Sequence, residues 1–216
     1  MNYLRRKIDK YLDEWYENKN KKPLIIKGAR QIGKTKSIRE FAKRHYDYLI
    51  DINFVLNAEF RDIFDNGYTV DAIIKNISLK KPSWKFVPGK TLIFFDEIQK
   101  CVNAATSLKS FNEDGRYDVV CSGSLMGLSY KEIESVSVGN KIDYNMYSMD
   151  FEEFLWALGY KEEQIEDLYI HMKELKPLSN VEFNVFLDRF HEYMVLGGMP
   201  AVIKQFVEQK NYCGVL

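Results

Sequence analysis

The sequence predicts an α/β protein: a three-layer sandwich with a mostly parallel sheet between helices, followed by a small C-terminal helical lid. Three observations predict it. A short continuous apolar run at 24–26 and the largely apolar stretches at 91–95 and 118–122 suit strands of a buried sheet. Helical segments alternate with these runs, as βαβ units require. From Asp150 onward the periodicity is helical only. The predicted division is residues 1–149 for the α/β domain with its N-terminal amphipathic helix, and 150–216 for the helical lid subdomain.

Each element follows from local pattern. Leu4, Ile8, Leu12 and Trp15 recur at helical spacing, with Arg5, Arg6, Asp9 and Asp13 elsewhere, and this predicts the N-terminal helix. The polar run Glu17-Asn18-Lys19-Asn20-Lys21-Lys22-Pro23 ends it before the first strand. Ile38, Phe41 and Ala42 mark the apolar side of a helix after the glycine-rich turn 28–33. Residues 48–54 read as a second strand and 70–79 as a helix, closed by Pro82 and the turn Pro88-Gly89. Over 141–147, Ile142, Tyr144 and Met146 alternate with polar neighbours, which predicts a half-buried edge strand with Asp143 facing solvent. Asp150 with Glu153, and Ser179 with Glu182, are capping-box pairs that start helices. Phe151, Phe154, Leu155 and Leu158 form the stripe of the first, which Gly159 ends; Phe183, Phe186, Leu187, Phe190 and Met194 follow the second cap. Gly197-Gly198 breaks the chain, and Pro200 suits the first position of a last helix.

Composition narrows the class. With 46% hydrophobic and 29% charged residues among 216, the chain can bury a core beneath an ordinary charged surface. Its apolar runs stay well below the ~18 residues of a membrane span. The N-terminus MNYLRRKIDKYLDEW lacks the apolar stretch of a secretory signal, so a cytoplasmic protein with no membrane partner is expected. Cys101, Cys121 and Cys213 are too few and too scattered for a disulfide framework or a four-ligand zinc site. The formal net charge of zero hides an asymmetry: residues 1–44 carry 14 Lys/Arg against 5 Asp/Glu, and residues 150–216 carry 6 against 12. The basic start suits either an anion-binding role or a solvated helix face beside one phosphate-binding loop. No basic-aromatic stripe of a nucleic-acid platform accompanies it.

The string Gly28-Ala29-Arg30-Gln31-Ile32-Gly33-Lys34-Thr35 fits G-x-x-x-x-G-K-[ST], between an apolar strand and an amphipathic helix. The glycines let the backbone turn tightly. N–H groups from Ala29, Arg30, Gln31, Ile32, Gly33, Lys34, Thr35 and Lys36 can then converge on phosphate oxygens. Lys34 supplies a cation for the β- and γ-phosphates, and Thr35 offers a hydroxyl to Mg²⁺. Phe94-Phe95-Asp96-Glu97 ends a strand at the edge where open α/β sheets bind ligands. Asp96 is the expected metal-side acid, and Glu97 stands to polarise a water in line with the γ-phosphate, catalytic together with Lys34. Ser122, with Ser124 beside it, is either a hydroxyl that senses the γ-phosphate or a polar turn after a buried strand. These residue types point to Mg²⁺-dependent ATP binding and hydrolysis. The alternative is a slowly hydrolysing, nucleotide-gated switch or scaffold that recruits a protein or DNA partner.

One string points elsewhere. Asn140-Lys141-Ile142-Asp143 matches the N-K-x-D signature by which GTPases read guanine. The D-x-x-G loop that accompanies it in GTPases occurs nowhere in the chain, and the relevant strand runs into Asp96-Glu97-Ile98-Gln99 instead. The predicted strand also follows Asn140 rather than preceding it. Adenine is therefore the expected base.

GARQIGKT, FFDEIQKC, CSGSLMGL, MYSMDFEEFLWALG and YMVLGGMP together resemble a family of prokaryotic AAA-like P-loop ATPases over nearly the whole chain. The loop and the DE pair are general to P-loop ATPases; DEIQ, FEEFL and the Gly-Gly-x-Pro turn point to this family. The resemblance implies a P-loop NTPase fold, with ATP and Mg²⁺ held by Gly28, Gly33, Lys34, Thr35 and Asp96. It also implies Glu97 as the hydrolytic acid and is consistent with assembly into a homo-oligomer. Relatives carry Gly-Arg before the last strand, where this chain has Gly139-Asn140-Lys141, so no arginine acts from there. In the family the ATPase domain is commonly joined to a C-terminal domain of unknown function. The chain stops at Leu216, about where that domain would begin, as a fragment or a truncated member would.

Overall fold

The computed structural model describes residues 3–124 and 139–209. Leu125-Met126-Gly127-Leu128 of one family string and Cys213 lie outside the described residues. Strands β1 (Leu24–Lys27), β2 (Tyr48–Asn53), β3 (Thr91–Asp96), β4 (Asp118–Gly123) and β5 (Ile142–Asn145) form one sheet in the order 2-3-4-1-5. Every neighbouring pair is parallel. Every residue of β1 and β3 is buried, as their continuous apolar runs require.

Helices α1 (Lys7–Glu17), α2 (Lys34–His45), α3 (Val70–Lys80) and α4 (Val102–Asp114) alternate with the first four strands along the chain. Ile50, Ile52, Phe54, Ile93 and Phe95 of the sheet region share a core with Ile73 and Ile77 of α3 and Leu108 and Phe111 of α4. Phe95 sits at its centre, with ring centroids 5.5 Å from Phe54 and 6.3 Å from Phe111. Burying each such side chain stabilises the fold by about 1.5–3 kcal/mol. Elements beyond the sequence expectation contribute to this core. Helix α4 presents Ala104, Ala105 and Ser107 inward beside its larger apolar residues, and a 3₁₀ turn at Ala58–Phe64 buries Phe60, Ile63 and Phe64.

Register sets up the site. Asn53 lies opposite Asp96, and Phe95 opposite Cys121, so Asp96 is level with Ser122. Ile26 and Lys27 lie opposite Ser122 and Gly123. The carboxyl ends of β1, β2, β3 and β4 thus bring together a loop, an amide, a carboxylate and a hydroxyl that are far apart in sequence.

Strand β5 is an edge strand, as expected, but it is shorter than 141–147, and Asp143 does not simply face water. Lys27 Nζ lies 2.6 Å from Asp143 Oδ2 and Lys141 Nζ 2.7 Å from it. The two lysine side chains are only 5% and 6% exposed, so they bury their stems and draw the carboxylate onto themselves.

The chain divides into two compact units, Lys10–Met146 and Met1–Asp9 with Tyr147–Leu216. The second contains α5 (Phe151–Ala157), α6 (Glu162–Lys173), α7 (Asn180–Leu196) and α8 (Pro200–Gln209). Both capping boxes form: Asp150 Oδ1 accepts from the Glu153 N–H at 3.0 Å, and Ser179 Oγ from the Glu182 N–H at 3.3 Å. Glu153 is buried against Arg6, with Arg6 Nε 3.0 Å from Glu153 Oε1. Gly198 is needed where it stands, because a Cβ there would lie 2.3 Å from the Met149 carbonyl oxygen. On α7 the predicted apolar residues are largely at the surface: Phe183, Phe190 and Met194 are exposed and Leu196 alone is buried. Apolar side chains surround this helix, Val181, Val185 and Val195 included, so one neighbouring face cannot cover them all. Among the described residues no helix is long and apolar enough to cross a membrane.

Candidate functional site

Strand β1 delivers the chain into a loop over 28–33, and α2 starts at Lys34. The backbone at Gly28 runs so close to the end of β5 that a Cβ would lie 2.2 Å from the Met146 carbonyl oxygen and 2.6 Å from Ile32 Cδ1. Gly33 adopts φ 97°, ψ 10°, the left-handed region, and turns the chain into α2. Ile32 is buried and anchors the loop between these two points.

Lys34 is buried, and its Nζ donates to the Gly28 carbonyl at 2.9 Å and to the Ala29 carbonyl. Burial pushes its ammonium below the ordinary lysine range, opposed by the negative charges of Glu97 and Asp96. Thr35 Oγ1 donates to Asp96 Oδ2 at 3.1 Å. The other Asp96 donors are Asn53 Nδ2 at 2.9 Å, the Glu97 N–H at 3.0 Å and Ser122 Oγ. Glu97 has a left-handed backbone, φ 56°, ψ 46°, unusual for a residue with a long side chain. Its Oε2 accepts from Gln99 Nε2.

A cleft of about 400 Å³ is lined by the loop residues Arg30, Gln31, Gly33, Lys34, Thr35 and Lys36, and by Glu97. The structure therefore brings Lys34, Thr35 and Glu97 to one cavity, with Asp96 directly behind Thr35. Gly28, Ala29 and Ile32 shape the loop without lining the cleft. Ser122 is fully buried on Asp96. Thr35 and Asp96 form a pair of hard oxygen donors, the chemistry Mg²⁺ takes from a protein when phosphates and water complete its shell. These residues fit the ion.

Asn53 and Gln99 are site residues that sequence reasoning did not single out. Asn53 ends a strand at the carboxyl edge of the sheet, and Gln99 lies in the DEIQ string itself; either position was the available signal. The N-K-x-D string goes the other way. Ile142 pairs with Leu24, and its N–H donates to the Pro23 carbonyl at 2.8 Å, so Asn140 and Lys141 stand at the amino end of the sheet. The phosphate-type loop leaves from Lys27, at the carboxyl end, about 10 Å of strand away. The string thus lies at the end of the sheet opposite that loop.

A five-stranded parallel sheet in this order, with a glycine loop between its first strand and the next helix, defines a P-loop NTPase fold. The AAA domain family matches residues 20–155, and the chain belongs to it. Membership implies ATP binding. Comparison with curated proteins finds no match. Among solved structures, AMPPCP-bound DnaA from Aquifex aeolicus is similar with a TM-score of 0.51 at 16% identity, over 99% of this chain and 63% of that one. The Drosophila ORC bound to DNA gives a TM-score of 0.54 at 13% identity, over 93% of this chain and 58% of that one. This chain spans less than two thirds of either, and at such identities the likeness is one of fold alone.

Proposed function

We propose that the chain binds ATP with Mg²⁺ and hydrolyses it to ADP and phosphate. The observation that carries this reading is the position of Glu97, which lines the same cleft as Lys34 while the preceding Asp96 holds Thr35. The loop N–H groups bind phosphate oxygens, and Lys34 exchanges the Gly28 and Ala29 carbonyls for them. Thr35 and Asp96 would hold Mg²⁺, which when bound neutralises charge on the phosphates. Glu97 accepts a hydrogen bond from the attacking water and orients it. Rate enhancement in this scheme is positioning and electrostatics.

The test is phosphate release from Mg·ATP, run beside calorimetric ATP binding. Lys34→Ala should abolish tight ATP binding while far-UV circular dichroism stays unchanged. Glu97→Gln should retain ATP affinity and slow hydrolysis by ~10²-fold or more. Wild-type turnover in Glu97→Gln would remove Glu97 from the chemistry. Tight binding with negligible release by the wild type would instead support the nucleotide-gated switch.

A further inference from the structure

We infer that Gln99 is a positioning residue: its side-chain amide fixes the Glu97 carboxylate and ties it to Ser124 at the end of β4. This rests on the reading of Glu97 as the hydrolytic acid. Gln99 lies in a short 3₁₀ turn, Ile98–Lys100, that leaves directly from Glu97. Its Nε2 donates to Glu97 Oε2 and, at 3.1 Å, to Ser124 Oγ. Both amide hydrogens are thereby used.

The orientation of the amide is decided by these donors. Among the described residues Gln99 Oε1 is buried without a hydrogen-bond partner, against Gly123, where a Cβ would approach it to 2.7 Å. A buried acceptor without a partner is unfavourable. Turning the amide over would set Oε1 against the negatively charged Glu97 carboxylate, which is worse. The side chain thus leaves its acceptor unpartnered so that its donors can reach Glu97 and Ser124, a pattern expected of a residue that serves a site.

The consequence for chemistry is geometric. Glu97 lines the cleft with one carboxylate oxygen, Oε2, already engaged by Gln99, leaving Oε1 to accept from water. Without the amide the carboxylate regains its rotamer freedom, and in-line orientation is lost for part of the time. Because the amide is anchored on Ser124, the placement of the acid is set from β4 as well as from β3.

The experiment compares Gln99→Met, close in size but without donors, with the wild type in steady-state hydrolysis, reading kcat and KM separately. Calorimetric ATP binding reports that each variant is folded. Gln99→Met should lower kcat about tenfold with KM for ATP unchanged. In a Glu97→Gln background, Gln99→Met should cause no further loss, because the group it positions has gone. A wild-type kcat in Gln99→Met, or full additivity in the double variant, would each overturn the inference. Unimpaired hydrolysis by Glu97→Gln alone would instead overturn the assignment of Glu97 on which it rests.

Discussion

Asp96 and Asp143 both lie on the parallel sheet, and both fall in strings that carry nucleotide chemistry elsewhere, yet their surroundings differ in kind. Asp96 accepts from two hydroxyls, a carboxamide and a backbone N–H, none of them charged. Asp143 accepts from the ammonium groups of Lys27 and Lys141. A carboxylate oriented by neutral donors keeps its charge for a cation that arrives later. A carboxylate between two lysines has already been neutralised. The difference teaches that a short motif names a residue type, while its donors decide what that residue can still do.

Three measurements sharpen or break this contrast. The largest effect is expected for Asp96→Asn, which keeps the shape and removes the charge. Hydrolysis should fall by ~10²-fold or more, and ATP affinity in EDTA should stay close to that of the wild type. If Asp96→Asn retained full Mg²⁺-dependent turnover, the neutral donors around Asp96 would have no functional meaning.

An intermediate effect concerns Lys34, the cation nearest to Asp96 and Glu97 in the cleft. Burial lowers its proton affinity in the folded chain, so between that lowered value and 10.5 the unfolded chain binds more protons and stability rises with pH. Phosphates favour the ammonium form. ATP affinity should therefore fall as pH rises through the lowered value, and binding in that range should take up a fraction of a proton. Calorimetry in buffers of different ionisation enthalpy measures this uptake, and Lys34→Arg, charged throughout, should lose it.

The smallest effect on nucleotide is expected at Asp143. Asp143→Ala should leave ATP and GTP affinities within a factor of ~3, under 1 kcal/mol. It should nevertheless lower unfolding stability by about 1–3 kcal/mol, because Lys27 and Lys141 would keep buried ammonium groups without that counter-charge. A strong preference for GTP that vanished in the variant would reverse the roles given to the two aspartates.

The same contrast shows how far the sequence could be read. Strands β1, β3 and β4 were legible because buried strands concentrate apolar residues into short stretches. The loop and its Lys34 and Thr35 were legible because they are contiguous. What joins Asn53, Asp96 and Ser122 is the strand order and register, which no local pattern encodes. The ties of Asp143 to Lys27 were hidden for the same reason, since they cross from β5 to β1. Helix α4 escaped notice because Ala104, Ala105 and Ser107 face inward, and α6 because Ile165 is its one buried residue, so neither shows a broad apolar stripe. Gln99 was visible as a letter in DEIQ, but its bond to Glu97 depends on a turn whose shape the letters do not state.

Glu97 stands in backbone territory that glycine enters freely and asparagine or aspartate with less penalty, at roughly 1–2 kcal/mol for other residues. Stability alone would favour replacing it. Asparagine would sit more comfortably there, but its shorter side chain carries no charge to orient water. The preferences of the backbone and the proposed role in hydrolysis pull this position toward different amino acids. If Glu97 is the hydrolytic acid we propose, a stabilising substitution found at this residue should lower hydrolysis, robustness having been given up there for reactivity.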